Sequence, residues 1–391
     1  MIESIYVGMT GLSSFSRGLR VIANNTTNLN TPGFKSSSLR FSDAFYAGGG
    51  YAGRQFGQMG YGVSTMGTSM SFKSGELRQT GNGLDLAIDG QGMFMLKGAD
   101  GSIRYTRAGQ FQFNRDGTLV TQGTGAKVMG VGADGAPSEI SIANLKTSAG
   151  KATAVAKFTG NLSSSGTDQT VSGVRVYDAA GGEHLLSVKL TNTNSTTPGS
   201  WKVELMDGST LVGTSQLVFQ DGKPTAATSK LSFTYTPAGQ SAVPLTLDFS
   251  ADVTSFASGT LSTLAFASQD GFAPAELSSA SFDATGTLVL TYANGQTAKG
   301  ARLSLGRFDT SDAVGAAGDN QFEALDGSAW HTGVAGGAFG SVRSGYIEIS
   351  NVDLSQEFSD LVIMQRGYQA SSQVISTANE MLQELFSMKS R

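Results

Sequence analysis

Cysteine is missing altogether from the 391 residues, which removes disulfides, thiolate catalysis, iron–sulfur clusters and cysteine-based zinc sites together. Histidine is nearly as scarce. The two present, His184 and His331, have no second histidine or spaced carboxylates beside them, so no metal site and no histidine relay is expected. His184 should flank a strand and His331 should lie in a glycine-rich loop. Charged residues are 15% of the chain, against roughly 25% in ordinary soluble domains. Net charge is −4 with no block of like sign, which excludes a nucleic-acid footprint. No run approaches the roughly 20 apolar residues of a membrane-spanning helix, so no membrane insertion is expected. The opening MIESIYVGMTGLSSFSRGL lacks the basic start, apolar run and cleavage site of a secretory signal. That leaves a cytoplasmic chain or one exported without a cleaved signal, and the cysteine-free, Ser/Thr/Gly-rich composition leans outward.

Catalytic motifs are missing as well. There is no P-loop and no G-x-S-x-G. Gly130-Val131-Gly132-Ala133-Asp134-Gly135 matches G-x-G-x-x-G, yet Ala136-Pro137 follows where a dinucleotide site needs a helix N-terminus. A turn is expected there. Asp85 and Asp89 bracket Leu86 and Ile88, and strand alternation would place both on a solvated face. No catalytic residue, cofactor or metal is expected, and the chain is not read as an enzyme.

What is abundant is glycine, 52 residues against 7 prolines. Asp-Gly and Asn-Gly pairs recur from Asn82 to Asp326, flanked by alternating runs such as Leu84–Ile88, Phe111–Phe113, Leu231–Tyr235 and Thr287–Tyr292. Short strands joined by tight turns indicate sandwiches or barrels. The two ends differ. Ile5, Met9, Leu12, Phe15, Leu19, Ile22 and Leu29 recur at threes and fours, as in a coiled-coil seam. Gly8, Gly11 and Gly18 weaken that helix by up to about 1 kcal/mol each, so it should not stand alone. Leu354, Phe358, Leu361, Tyr368, Ile375, Leu382 and Leu385 form a second seam, with Ser355 as the expected cap.

The expected fold class is therefore mainly β: one or two sandwich-like or barrel-like domains nested between N- and C-terminal α-helices that form a coiled-coil-like layer. The expected plan is a helix over 1–30, an extended glycine-rich connector over 31–75, a β domain from 76–144 and 285–350, an inserted β domain over 145–284, and a closing helix over 351–391. Nested chain order suggests radial layers, with both termini in one layer and the insertion at the tip.

Specific strings then carry a resemblance. The run Ile22 to Lys35, with Asn24, Asn25, Asn28, Asn30, Thr31, Pro32, Gly33 and Phe34, resembles the N-terminal signature of bacterial flagellar rod and hook proteins. Asn82 to Phe94 and Tyr105 to Phe111 are similar to their shared β-domain entry. Ser350-Asn351-Val352-Asp353-Leu354-Ser355 and Gln365-Arg366-Gly367-Tyr368 resemble their closing helix. Thr26-Thr27 departs from relatives that carry apolar or small residues there. An insertion of about 140 residues is similar to hook-type rather than shorter rod-type members.

The resemblance implies a hollow helical homopolymer with the terminal helices as an inner tube and the inserted domain outside. It implies a curved universal joint that passes motor torque to the filament. It also implies export through the flagellar type III apparatus and contacts with distal rod, hook cap and hook–filament junction proteins. A distal rod protein carrying an insertion is the alternative within the family; a secreted β-rich adhesin is the alternative outside it.

Overall fold

The computed structural model describes residues 2–44, 46–51, 54–132 and 135–389. Ala133 and Asp134 of the G-x-G-x-x-G string, and Arg391 at the end of the closing helix, lie outside the described residues. Two α-helices, α1 (Ile2–Thr27) and α2 (Leu354–Lys389), bracket a body of short strands. Helix α1 contains no proline, and it ends where Asn28 N–H is shared between the carbonyls of Asn24 and Asn25 (3.3 and 3.1 Å). Helix α2 begins one residue earlier than its expected Ser355 cap. Asp353 caps it instead, its Oδ1 accepting from the N–H groups of Ser355 (2.9 Å) and Gln356 (3.2 Å).

Contacts divide the chain into two compact units. The first holds residues up to 143, 280–290 and those from 298 on; the second holds 144–279 and 291–297. The boundary expected after 284 therefore falls after 279, and the turn at 291–297 leaves the first unit for the second. Its ladder partner explains the move, since Ala293 N–H bonds the carbonyl of Glu276 (3.0 Å).

The second unit is a sandwich. Its four-stranded sheet runs Lys230–Tyr235, Val243–Thr254, Val155–Asn161, Ala265–Gln269. Its five-stranded sheet is a meander from Asp168–Tyr177 to Lys223–Pro224. Alternation drives the packing: Leu231, Phe233 and Tyr235 point inward while Ser232 and Thr234 face solvent. Phe158 stacks on Phe249 at 4.6 Å, and Trp201 is buried in the same core. His184 lies within the strand Glu183–Asn192 rather than beside one, bonded to Asp178 (2.9 Å).

In the first unit, strands Met93–Lys97, Ile103–Thr106, Lys127–Val131 and Thr297–Phe308 join one antiparallel sheet. Tyr105 stacks on Trp330 (4.0 Å) over a core that includes Met93, Met95, Met129 and Phe322. His331 sits in the strand Trp330–Val334, not in a loop, and bonds Asp309 (2.9 Å). Asp85 is buried, contrary to the alternation argument. The strand Leu86–Asp89 pairs with Ser341–Ser344, and Asp85 accepts from the Asn82 side chain; Asp89 alone is exposed. Residues 31–75 are no simple connector: Ser37–Asp43 pairs with Val63–Met70, and Tyr46–Tyr51 with Arg54–Gly60.

Candidate functional site

The chemistry-bearing feature of the first unit is the way its two ends meet. Helices α1 and α2 run antiparallel, with Gly8 against Ile375, Gly11 against Ser371 and Gly18 against Met364. A Cβ added at these glycines would stand 2.8 Å from Ile375 Cγ1, 2.6 Å from Ser371 Oγ and 2.9 Å from Met364 Sδ. From the other side, a Cβ at Gly367 would meet the Phe15 ring at 2.5 Å. The glycines that read as helix weaknesses are the contact face itself. The buried stripe of α1 is Gly8, Gly11, Ser14, Gly18, Ile22 and Asn25.

The sequence-derived seams are placed unevenly by this packing. Ile22 is buried, and Ile5, Leu12, Phe15, Leu19 and Leu29 are half-buried. On α2, Leu361, Ile375 and Leu382 are half-buried, Ile375 against Gly8, while Leu354, Phe358, Tyr368 and Leu385 are exposed. Met9 is 58% exposed. Spacing did not select Val362, Ile363, Val374, Met381, Phe386 and Met388, yet all are exposed on α2. A helix that is apolar on two sides while packed on only one carries a second face for another partner.

Where the helices join the body, the motif residues form a polar knot around the buried Asn25. Asn25 Nδ2 donates to Ser37 O and to Glu357 Oε1 (2.8 Å each), and its Oδ1 accepts from Ser37 N–H (3.0 Å). Asn351 Oδ1 accepts from Ser36 N–H (2.8 Å), and its amide donates to Ser71 O (2.7 Å) and Lys73 O (3.0 Å). Gly33 has φ +70° and sits so close to Ala108 that a Cβ would come within 2.4 Å of its nitrogen; only glycine fits. Thr31 bonds Asn28, Asn28 bonds back to Asn24, and Pro32 O accepts from Asn320 (2.6 Å). Asn30, Gln365 and Arg366 are exposed, and Phe34 is half-buried.

Behind the knot lies a fully buried charge triad. Glu348 receives Lys35 Nζ on Oε1 (2.5 Å) and Arg107 Nη1 on Oε2 (3.0 Å), and all three side chains are at most 3% exposed. Most remaining valences are used: Gly75 N–H donates to Oε1, Lys35 also donates to Lys73 O, and Arg107 donates to the carbonyls of Ile88 and Gly90, while its Nε is buried without a partner. Burial pushes the Lys35 ammonium below its ordinary value, with Glu348 pulling it back. Lys35 and Arg107 fall inside strings noted in the sequence. Glu348 does not, although a lone acid in the run Tyr346-Ile347-Glu348-Ile349 was a visible anomaly.

Glu357 supplies a pH test. Burial pushes its carboxyl above the ordinary range; the Asn25 amide opposes this, and Asp360 and Asp353 reinforce it. A raised folded-state value means the folded protein binds more protons. The stabilisation is then full below the unfolded value near 4.5 and is lost as pH rises through the folded one. Glu357→Gln, which cannot ionise yet keeps an oxygen for Asn25, should raise the melting temperature of the first unit at pH 7. The gain should vanish by about pH 4. A gain that is the same at both pH values would mean that ionisation is irrelevant.

Comparison with known proteins adds the following. A family model described as flagella basal body rod protein matches residues 5–35. The flagellar hook protein FlgE/F/G D1 domain matches 87–157, and the flagellar basal body rod FlgEFG protein C-terminal model matches 343–388. Among curated relatives, the flagellar hook protein FlgE of Escherichia coli (strain K12) is 30% identical over 97% of this chain and 98% of its own length. That of Salmonella typhimurium is 31% identical over the same shares. The solved Helicobacter pylori flagellar hook protein FlgE2 superposes with a TM-score of 0.51 at 14% identity, covering 69% of this chain and 100% of that one. At that identity the likeness concerns the fold alone.

Proposed function

We infer that this chain, which belongs to the flagellar hook protein family, is a structural subunit of the bacterial flagellar hook and polymerises with copies of itself. The observation that carries this reading is the second apolar face of α2, left open after α1 has covered the first. Copies of the chain cover that face, so the helix pairs become the wall of a hollow tube and the β units lie outside it. The tube is curved and acts as a universal joint between motor and filament. A wall of close-packed helices resists torsion, while weakly charged Ser/Thr/Gly-rich outer surfaces slide past one another at low cost.

The subunit leaves the cell through the flagellar type III export apparatus without a cleaved signal, and a chain without cysteine forms no cross-links on the way. Its heterologous partners are the distal rod, the hook cap and the hook–filament junction proteins. A structural subunit of this kind performs no catalysis. The rod reading is less favoured: a rod relative also aligns along the whole chain, but at 26% identity against 30–31% for the hook relatives.

Electron microscopy of the purified, polymerised protein tests this directly. Curved hollow tubes are the expected result, and straight ones would favour the rod. The second unit offers a companion test. Thr147 and Glu276 are ladder partners, so the chain enters and leaves that unit side by side, and a short Gly-Ser bridge can replace residues 148–275. The shortened subunit should still form tubes, with their regular curvature lost. No assembly by a shortened chain that still melts cooperatively would place the second unit in the wall instead.

A further inference from the structure

We propose that a groove beside α1 seats the C-terminal end of α2 from a second copy of the chain. This rests on the polymer reading above and names the contact that propagates it. The groove, about 570 Å³, is lined by Arg17, Arg20, Val21, Leu39, Thr65 and Thr68 among others, and no carboxylate lines it. Arg17 donates to Thr65 Oγ1 (2.6 Å). Among the described residues neither arginine has an acidic partner, and both are exposed. The groove is thus cationic, with Val21 and Leu39 as its apolar side chains among Asn24, Ser37, Thr65 and Thr68, and it is unfilled by its own chain.

The matching piece is on α2. From Ala378 to Met388 the helix carries Glu380 and Glu384, and a cation follows only at its last residue, Lys389. Four residues apart, these two lie on one face, and neither has an ion-pair partner among the described residues. Beside them Met381, Leu385 and Met388 form a stripe at steps of four and three, and each is at least half exposed. An acid-edged apolar ridge meets a cation-edged groove.

The two cannot meet within one copy. Gly18 touches Met364, so the groove is level with the first third of α2. The acidic stretch is centred some 18 residues further along, which at 1.5 Å per residue is about 27 Å away. The ridge therefore serves a neighbour displaced by that distance along the helix axis. Each copy offers a ridge at one level and a groove at another, so the contact is heterologous and does not close on itself. Such a contact generates an open filament.

Charge reversal tests the pairing. Arg17→Glu/Arg20→Glu and, separately, Glu380→Arg/Glu384→Arg should each raise the protein concentration needed for tube growth by roughly tenfold. The four-fold variant, with both reversals, should recover most of that loss. Far-ultraviolet circular dichroism of the monomer verifies that the helix pair stays formed, as expected since all four positions are exposed. Either reversal leaving growth unchanged overturns the pairing, as does a combined variant no better than its worse parent. A block by the arginine reversals alone would assign the groove a different occupant. Unmodified protein that forms no tubes at all would instead count against the hook reading.

Discussion

Glu348→Ala should lower the stability of the first unit by about 3–5 kcal/mol and leave the second unit untouched. The size follows from what remains after the change. Lys35 and Arg107 are buried with side chains at most 3% exposed; without Glu348 both cations stay in a dry site with no counter-charge. Gly75 N–H loses its acceptor as well. Lys35→Met should cost much less, because Glu348 keeps Arg107 and Gly75 and only a well-filled apolar stem replaces the ammonium. The chain carries its own reporters. It has two tryptophans, Trp201 in the core of the second unit and Trp330 in the first. Single Trp→Phe versions separate the two unfolding transitions. Both transitions shifting together would mean that the units are one cooperative block, and an unmoved Trp330 transition would mean that the triad contributes no net stability.

The triad also marks the limit of what the sequence could say. A mainly β body between terminal helices was legible because periodicity and turn dipeptides are local signals. Leu231, Phe233 and Tyr235 announce their alternation within five residues. The helix ends were legible in type but not in phase. Apolar spacing pointed to Phe358 and Tyr368, which α1 leaves exposed and open to a neighbouring copy, and treated Gly8, Gly11 and Gly18 as defects although they face α2. A seam built on absent side chains has no hydrophobic signature, and only a partner helix reveals it. Asp85 failed for a related reason, since a strand covered on both faces does not alternate. Glu348 was the least accessible. Its partners lie 313 and 241 positions away in the chain, and no local pattern reports a pairing of that range.

Gly11→Leu makes the phase of the helix seam a measurable matter, because two physical effects of opposite sign meet at that residue. Intrinsic propensity favours the substitution: leucine is better than glycine in a helix interior by somewhat under 1 kcal/mol. A peptide spanning residues 2–27 should therefore become more helical. Packing opposes it. The first added atom would already stand 2.6 Å from Ser371 Oγ and 3.4 Å from Ser371 Cβ, and the rest of the leucine has to displace α2. Overpacking of this kind costs about 1–3 kcal/mol, so packing outweighs propensity. Every copy in a polymer repeats the displacement, and the ridge and groove of neighbouring copies lose register together. Tubes should be absent in micrographs, while the Trp330 transition moves by less than about 1 kcal/mol, because that tryptophan belongs to the strand core rather than to the helix pair. A smaller exchange separates steric fit from side effects. Gly11→Ala alone should weaken assembly mildly, and adding Ser371→Gly should restore it by returning the lost space from the other helix. If Gly11→Leu instead strengthens tube formation, the glycines are the weak points their propensity suggests, and α2 approaches α1 by some other face.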